Sequence, residues 1–406
     1  MQSFLQVNLG SVVVGTLTML RNENVFFEFA EEYLNNSERP ILSQSFIGQD
    51  KQNLLVSKPT RMQILPPFFS NLLPEGRLRD YLAERGGVKS SNEFLLLQLL
   101  GQDLPGAVTV SAIGENQEAG NLERRKKKEK TVTHPLHFSL AGVQLKFSAI
   151  ASKRGGLTIP ADGIGGNWII KLPSLNYANV PQNEYAMMKL AKAIGIPIPE
   201  MRLVDLSEIA GLPEMGPSRE KQALAVKRFD RSSGGVRIHM EDFAQVYGVY
   251  PHKKYEGVSF TNIAEMVWHI AGEKSFVDLI RRFVFMLMIG NGDMHLKNWS
   301  FLYRDARIAT LAPAYDFLST IPYLPEDGLA LNFAGSKKMQ EISFAHFEAL
   351  AKKAKLPETL VLQTVKETVL AIKAAWNSQK KHAEIPAVIK KSIDLHMKAS
   401  ALYLYS

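Results

Sequence analysis

Cysteine is absent from the 406-residue chain. This removes disulfides, thiolate nucleophiles and cysteine-based zinc or iron–sulfur sites, so any catalysis must rest on oxygens, amines or imidazoles. Long apolar runs are missing too. The nearest, Phe283 to Ile289, falls far short of the roughly 18 residues of a membrane span. The first twenty residues carry no charged side chain, and Gln6, Asn8, Ser11, Thr16 and Thr18 interrupt their apolar stretch. An export signal needs a basic start and an unbroken apolar core, so the expectation is a soluble, cytoplasmic protein. No internal repeat is visible. What is present is ordinary globular composition, 46% hydrophobic and 22% charged, with length for roughly two to three domains. The net charge of +8 and pI of about 9.3 permit an anionic partner, nucleotide or nucleic acid, without requiring one.

Texture along the chain divides it into an α+β arrangement. Leu5 to Met19 is rich in Val and Thr with Gly10 and Gly15 as punctuation, which predicts a small antiparallel sheet. Helices are expected over Asn71–Arg85 and Ser91–Leu100, and a strand over Gly106–Ile113, closing an N-terminal subdomain over 1–115. The segment 116–136 contains the charged run Glu123 to Lys130 and reads as a basic, solvated linker. From 137 to 241 the pattern is strand-rich, His137–Ile150, Asn167–Leu172 and Ala223–Arg228, with a helix over Asn183–Ala193. From 242 to 406 the periodic segments are all helical, Asn262–Ala271, Ser275–Ile289, Ser343–Ala354, Pro357–Ser378 and Ile385–Tyr403. Phe283, Phe285, Met286 and Met288 are expected to be core. One irregular stretch, Gly290–Leu324, interrupts the helices, and loops on a rigid scaffold commonly carry chemistry.

That stretch holds Gly-Asn-Gly-Asp-Met-His-Leu-Lys-Asn from Gly290 to Asn298, followed by Asp316 in Ala-Tyr-Asp-Phe. Asp293 and Asn298 stand five apart, the spacing of a phosphoryl-transfer loop in which the Asp takes a hydroxyl proton and the Asn binds magnesium. Asp316 would add a second hard oxygen ligand. A polar turn with helix caps uses the same residue types. Lys171 ends the apolar strand Trp168–Ile170, where an amine could meet phosphate, and Glu184 opens the next helix, where it could pair with that amine. Either could equally be a solvated lysine and a first-turn acid. The candidate phosphate loop, Ser139 to Lys146, has only one glycine, Gly142, and a plain β-turn would look similar. His295 is expected to support the loop rather than bind metal.

Taken in order, eight blocks resemble the HipA family of bacterial toxin kinases. They are Phe69–Glu75, Leu104–Val108, Phe138–Lys146, Ile169–Pro173, Asn183–Tyr185, Val226–Asp230, Gly292–Asn298 and Pro313–Asp316. The resemblance implies a two-lobed protein-kinase-like fold, a strand-rich N-terminal lobe with an extra N-terminal subdomain and an all-helical C-terminal lobe. It implies a serine/threonine kinase using ATP and magnesium, with Asp293 as catalytic base and Asn298 and Asp316 as metal ligands. ATP would be bound by Lys171, by Ala141, Gly142, Val143, Gln144 and Lys146, by the hinge residues Lys227, Arg228 and Phe229, and by His295 and Lys297, with Glu184 in support. Lys227 stands at a hinge position where the family's best-known member has an acid. Ser139 would be the self-inactivating autophosphorylation site. The implied partners are a HipB-like helix-turn-helix antitoxin, operator DNA through that complex, and an aminoacyl-tRNA synthetase as substrate, whose phosphorylation arrests growth.

Two other classes stay open on sequence. A HipA-like pseudokinase could act mainly as a DNA-bound co-repressor, although a lapsed enzyme has no need of Lys171, Asp293, Asn298 and Asp316 together. A metal-dependent hydrolase would need neither the Lys171 strand nor the hinge-like segment.

Overall fold

The computed structural model describes residues 2–48, 54–55, 59–114, 146–151, 156–160, 165–212, 220–232, 234–380 and 384–404. The basic segment 116–136 and the phosphate-loop candidates Ser139, Ala141, Gly142, Val143 and Gln144 lie outside the described residues.

Alternation in the first strands builds the N-terminal subdomain. Leu5, Val7 and Leu9 all turn inward in Ser3–Leu9, as a period of two requires. That strand sits between Val12–Met19 and Val108–Ala112, with Val25–Phe29 at the edge, in a four-stranded antiparallel sheet. Gly15 is small for a reason: a Cβ there would lie 2.1 Å from the Glu28 carbonyl and 2.8 Å from the Phe27 ring. The inner face packs on Phe68, Phe69, Phe94 and Leu97 from the helices Pro67–Ser70 and Glu93–Leu100, forming a core of its own.

A six-stranded sheet follows, in the order Met201–Asp205, Gln222–Lys227, Trp168–Lys171, Lys146–Ala151, Leu157–Thr158, Ile209–Ala210. Phe147, Ala149, Trp168 and Ile170 fill a small core on one face. The helix Val180–Ala193 turns Met187, Met188, Leu190 and Ala191 into the larger core of the C-terminal lobe and so sits between the lobes.

The C-terminal lobe is built around Phe260–Ile289, whose last seven residues are fully buried, the all-round apolar signature of a central helix. Its two predicted halves merge across Gly272, which bends the chain at φ +73°. Helices Phe344–Lys353, Glu358–Gln379 and Ala387–Ala399 surround it. The expectation of an all-helical lobe is corrected in one respect: His239–Asp242, Ser300–Tyr303 and Thr310–Leu311 form a three-stranded sheet, too short in each strand for alternation to register. No helix among the described residues is long and apolar enough to cross a membrane.

Candidate active site

Strand register places the first two functional side chains. Lys146 lies directly opposite Lys171 in the antiparallel pair, and cross-strand neighbours share a face. Two ammonium groups so placed repel unless an anion sits between them. Asp316 is that anion: its Oδ2 accepts from Lys146 Nζ at 3.0 Å and its Oδ1 pairs with Lys171 Nζ. Glu184, from the first turns of Val180–Ala193, closes on Lys171 from the other side. Lys171, Glu184 and Asp316 are thus brought together, and Lys146 joins them by its own ion pair.

Burial and charge compete in this cluster. Desolvation works against the charge on Lys171, but Asp316 and Glu184 outweigh it and hold the amine well above the usual lysine range. Burial likewise opposes ionisation of Asp316, yet Lys146 and Lys171 hold its carboxyl far below the usual range. Glu184 is pushed up by burial, which Lys171 only partly offsets. Asp316 is therefore the carboxylate most firmly held ionised. Its backbone is left-handed, φ +58°, an unusual conformation for a residue with a side chain.

The second half of the site follows the central helix. Gly290 terminates that helix in the left-handed conformation, φ +68°, donating its N–H to Leu287 O. Asn291, buried, links both halves: its Oδ1 accepts from Asp293 N at 3.2 Å and its Nδ2 donates to Asp316 O at 3.3 Å. Gly292 lets Asp327 approach, since a Cβ there would lie 2.3 Å from Asp327 Oδ2 and 2.6 Å from Gly328 O. Asp293 then reaches solvent, with Oδ1 accepting from Tyr255 Oη at 2.9 Å. Surrounding protein pushes its carboxyl up, the Tyr255 hydroxyl and Lys254 oppose the shift, and the charges of Asp316 and Asp327 add to it. Asn298 donates from Nδ2 to Asp293 O at 2.8 Å, and its side-chain oxygen takes no hydrogen bond among the described residues. Tyr315, next to Asp316, donates to Lys297 O at 3.0 Å and draws the end of the loop toward Asp316.

The remaining predicted residues are placed differently. His295 is buried, its ring edge-on to Tyr255, and burial and Lys254 lower its pKa to about 3, so the imidazole is neutral. Lys297 Nζ is held at 2.9 Å by Asn71 O, at 3.0 Å by Asn71 Oδ1 and at 3.0 Å by Asp242 Oδ2. Arg228 binds Asp230 through Nε at 2.9 Å and Nη2 at 2.8 Å, and Asp103 of the N-terminal subdomain at 3.2 Å. Lys227 pairs with Glu200 at the surface. The N–H groups of Lys227 and Arg228 are also taken, by Glu200 O and Asn167 O. Phe229 lies against Tyr315, ring centroids 5.8 Å apart, and so belongs to the site's wall.

Magnesium fits the donor set better than a softer metal. Asp316 is an anion, the Asn298 oxygen is open, and both are hard oxygen donors; among the described residues no three His, Asp or Glu side chains form a cage that would do without further oxygen ligands.

Sequence reasoning missed Asn291, Tyr255, Asn71 and Asp242. Tyr255 carries no motif, and its partner is 38 residues away.

Two family descriptions match the chain, HipA N-terminal domain over 5–111 and HipA-like C-terminal domain over 138–376. A Sinorhizobium fredii protein named "Putative kinase Y4dM" is 48% identical over 404 residues, 98% of this chain and 97% of that one. The serine/threonine-protein kinase toxin HipA of Shewanella oneidensis is 28% identical over 293 residues, 63% of each chain. A solved chain of the Shewanella oneidensis complex of HipA, HipB and operator DNA superposes with a TM-score of 0.75 at 22% identity, covering 99% of this chain and 97% of that one, which shows a shared fold. With both of its halves matched and a near-full-length relative at 48% identity, this chain belongs to the HipA family.

Proposed function

We propose that this chain is an ATP- and magnesium-dependent serine/threonine protein kinase, the toxin of a HipBA-type toxin–antitoxin pair. The observation that carries the reading is the buried Lys171 held by Glu184 and Asp316, joined through Asn291 to the loop that presents Asp293 and Asn298.

Phosphoryl transfer asks little covalent help from a protein and much positioning and charge neutralisation. Lys171 and Lys146 supply fixed positive charge where the strands end. Asp293, solvent-facing and with its pKa raised, accepts the acceptor hydroxyl's proton as the new O–P bond forms and the bond to the ADP oxygen breaks. Asn298 and Asp316 are the residues that would hold magnesium, which when bound neutralises phosphate charge. Because both N–H groups of Lys227 and Arg228 are engaged, Phe229 is the hinge residue left to meet the adenine ring.

The finer assignments rest on the family. Ser139 is proposed as the autophosphorylation site, an aminoacyl-tRNA synthetase as substrate, and a HipB-like antitoxin with operator DNA as partners, the last in keeping with the composition of the matched Shewanella complex. Purified chain and an Asp293→Asn control, first shown by intact mass to be unphosphorylated, are incubated with Mg-ATP and a synthetase panel. Phosphate on Ser139 or on a synthetase with the wild type alone supports the reading. No phosphate anywhere overturns it in favour of a co-repressor without turnover.

A further inference from the structure

The contacts of Asp293 run outward to a part of the molecule that the kinase reading does not use. Its only side-chain hydrogen bond among the described residues comes from Tyr255, at 2.9 Å on Oδ1, which leaves Oδ2 for an acceptor hydroxyl. Tyr255 is itself fixed. Its ring meets the His295 ring edge-on, centroids 5.1 Å apart at 84°, and the Lys254 ammonium lies 5.6 Å from the ring centre. Lys254 is anchored twice: its carbonyl accepts from Leu296 N at 3.3 Å, and its Nζ donates to Glu75 Oε2 at 2.9 Å. Glu75 belongs to the N-terminal subdomain and also lies 3.6 Å from Lys297 Nζ, the amine that Asn71 of the same subdomain holds.

We propose that Tyr255 is a positioning residue for Asp293, set in place by the N-terminal subdomain through the Glu75–Lys254 ion pair. The inference rests on the kinase reading and deepens it: the subdomain becomes part of the catalytic apparatus. The alternative for Tyr255 is a stand-in for the acceptor hydroxyl that has to leave before substrate binds. A ring that meets an imidazole edge-on, on a segment bonded to the loop itself, suits a fixture better than a leaving group. Burial and the charge of Asp293 push the phenol up, so it stays a donor throughout the working pH range. The neutral His295 ring, which sequence reading assigned to support, gains a specific task as the wall against which Tyr255 rests.

The experiment measures the rate of Mg-ATP-dependent self-labelling against ATP concentration for the wild type, Asp293→Asn, Tyr255→Phe, Glu75→Gln and the Tyr255→Phe/Glu75→Gln double variant, with thermal melts of each. Tyr255→Phe keeps the ring and deletes only the donor. The expected result is a maximal rate about ten- to a hundredfold lower, the loss of one hydrogen bond to a charged group, with the KM for ATP and the melting temperature unchanged. Glu75→Gln is expected to lower the rate less, and the double variant to fall no further than Tyr255→Phe alone, because both act along one path. A Tyr255→Phe rate equal to or above wild type overturns the proposal, as does a loss matched by a rise in KM or a collapse in melting. Additive losses in the double variant overturn the link to the subdomain. A wild type that phosphorylates neither itself nor any synthetase of the panel retires the kinase reading and the proposal with it, whereas an active wild type, a dead Asp293→Asn and an unaffected Tyr255→Phe retire the proposal alone.

Discussion

Asn183 and Ser319 exchange two hydrogen bonds in the buried interior: Asn183 Nδ2 donates to Ser319 O at 2.9 Å, and Ser319 N donates to Asn183 Oδ1 at 3.2 Å. Asn183 precedes Glu184, and Ser319 follows Asp316 by three residues, so this exchange fixes the distance between the two carboxylates that share Lys171. Asn183→Leu keeps the branched shape, deletes both bonds together with the one from Nδ2 to Tyr323 Oη at 3.2 Å, and leaves a buried N–H and C=O unpaired. Urea unfolding is expected to show a loss of about 2–4 kcal/mol, and labelling is expected to fall with it. Unchanged stability would mean that the helix and the Asp316 segment are held elsewhere.

Asp293 and Asp316 separate in their effect on stability. Asp293→Asn changes a solvent-facing side chain, so labelling should vanish while the melting temperature stays within about 1 °C of wild type. Asp316→Asn removes the anion between Lys146 and Lys171, which face each other across the strands. Labelling should vanish there too, with a stability loss of about 3–5 kcal/mol, the usual cost of breaking a buried ion pair. Equal melting temperatures for the two variants would contradict the role of Asp316 as the lysines' counter-charge.

Gly292→Ala tests the close approach of Asp327. Its Cβ would sit 2.6 Å from the Gly328 carbonyl, a backbone atom that cannot swing aside, so the loop has to move. A shift of about 1 Å at Asp293 is expected to cost roughly a hundredfold in labelling rate. A rate within twofold of wild type would show that the loop absorbs the methyl without moving the base.

Glu241 gives a pH signature of stability. It is fully buried, accepts from the Ser43 and Tyr303 hydroxyls and from Gln44 N at 3.1 Å, and burial pushes its carboxyl up from 4.5 to about 7 against those bonds. The folded chain holds this proton more tightly than the unfolded one, so stability is full below about pH 4.5 and is lost as pH rises through about 7. The loss amounts to about 3 kcal/mol by pH 8. Glu241→Gln, which keeps an oxygen for Gln44 N and Tyr303, should remove that slope and melt higher than wild type at pH 8. Parallel melting curves from pH 5 to 8 would refute it.

Local pattern carried as much of this as local pattern can. Lys171 was legible because three apolar residues announce a strand and the lysine ends it; Asp293 and Asn298 were legible because the loop keeps its chemistry within nine residues. The small C-terminal sheet escaped because strands of four, four and two residues are too short to alternate. The ion pair of Lys146 could not be read locally because its counter-ion is 170 residues on, and Tyr255 carries no motif. The guanidinium of Arg228 is held by Asp103 and Asp230, and sequence could not show the first of these because only the folded subdomain brings Asp103 within reach.

The N-terminal subdomain touches both lobes: Asp103 reaches Arg228 and Arg231 beside the six-stranded sheet, while Ser43, Asn71 and Glu75 reach Glu241, Lys297 and Lys254 in the helical lobe. A body bonded to both lobes works as a brace that limits how far they can swing apart. On the kinase proposal, loosening that brace would speed product departure even where it slows the chemical step.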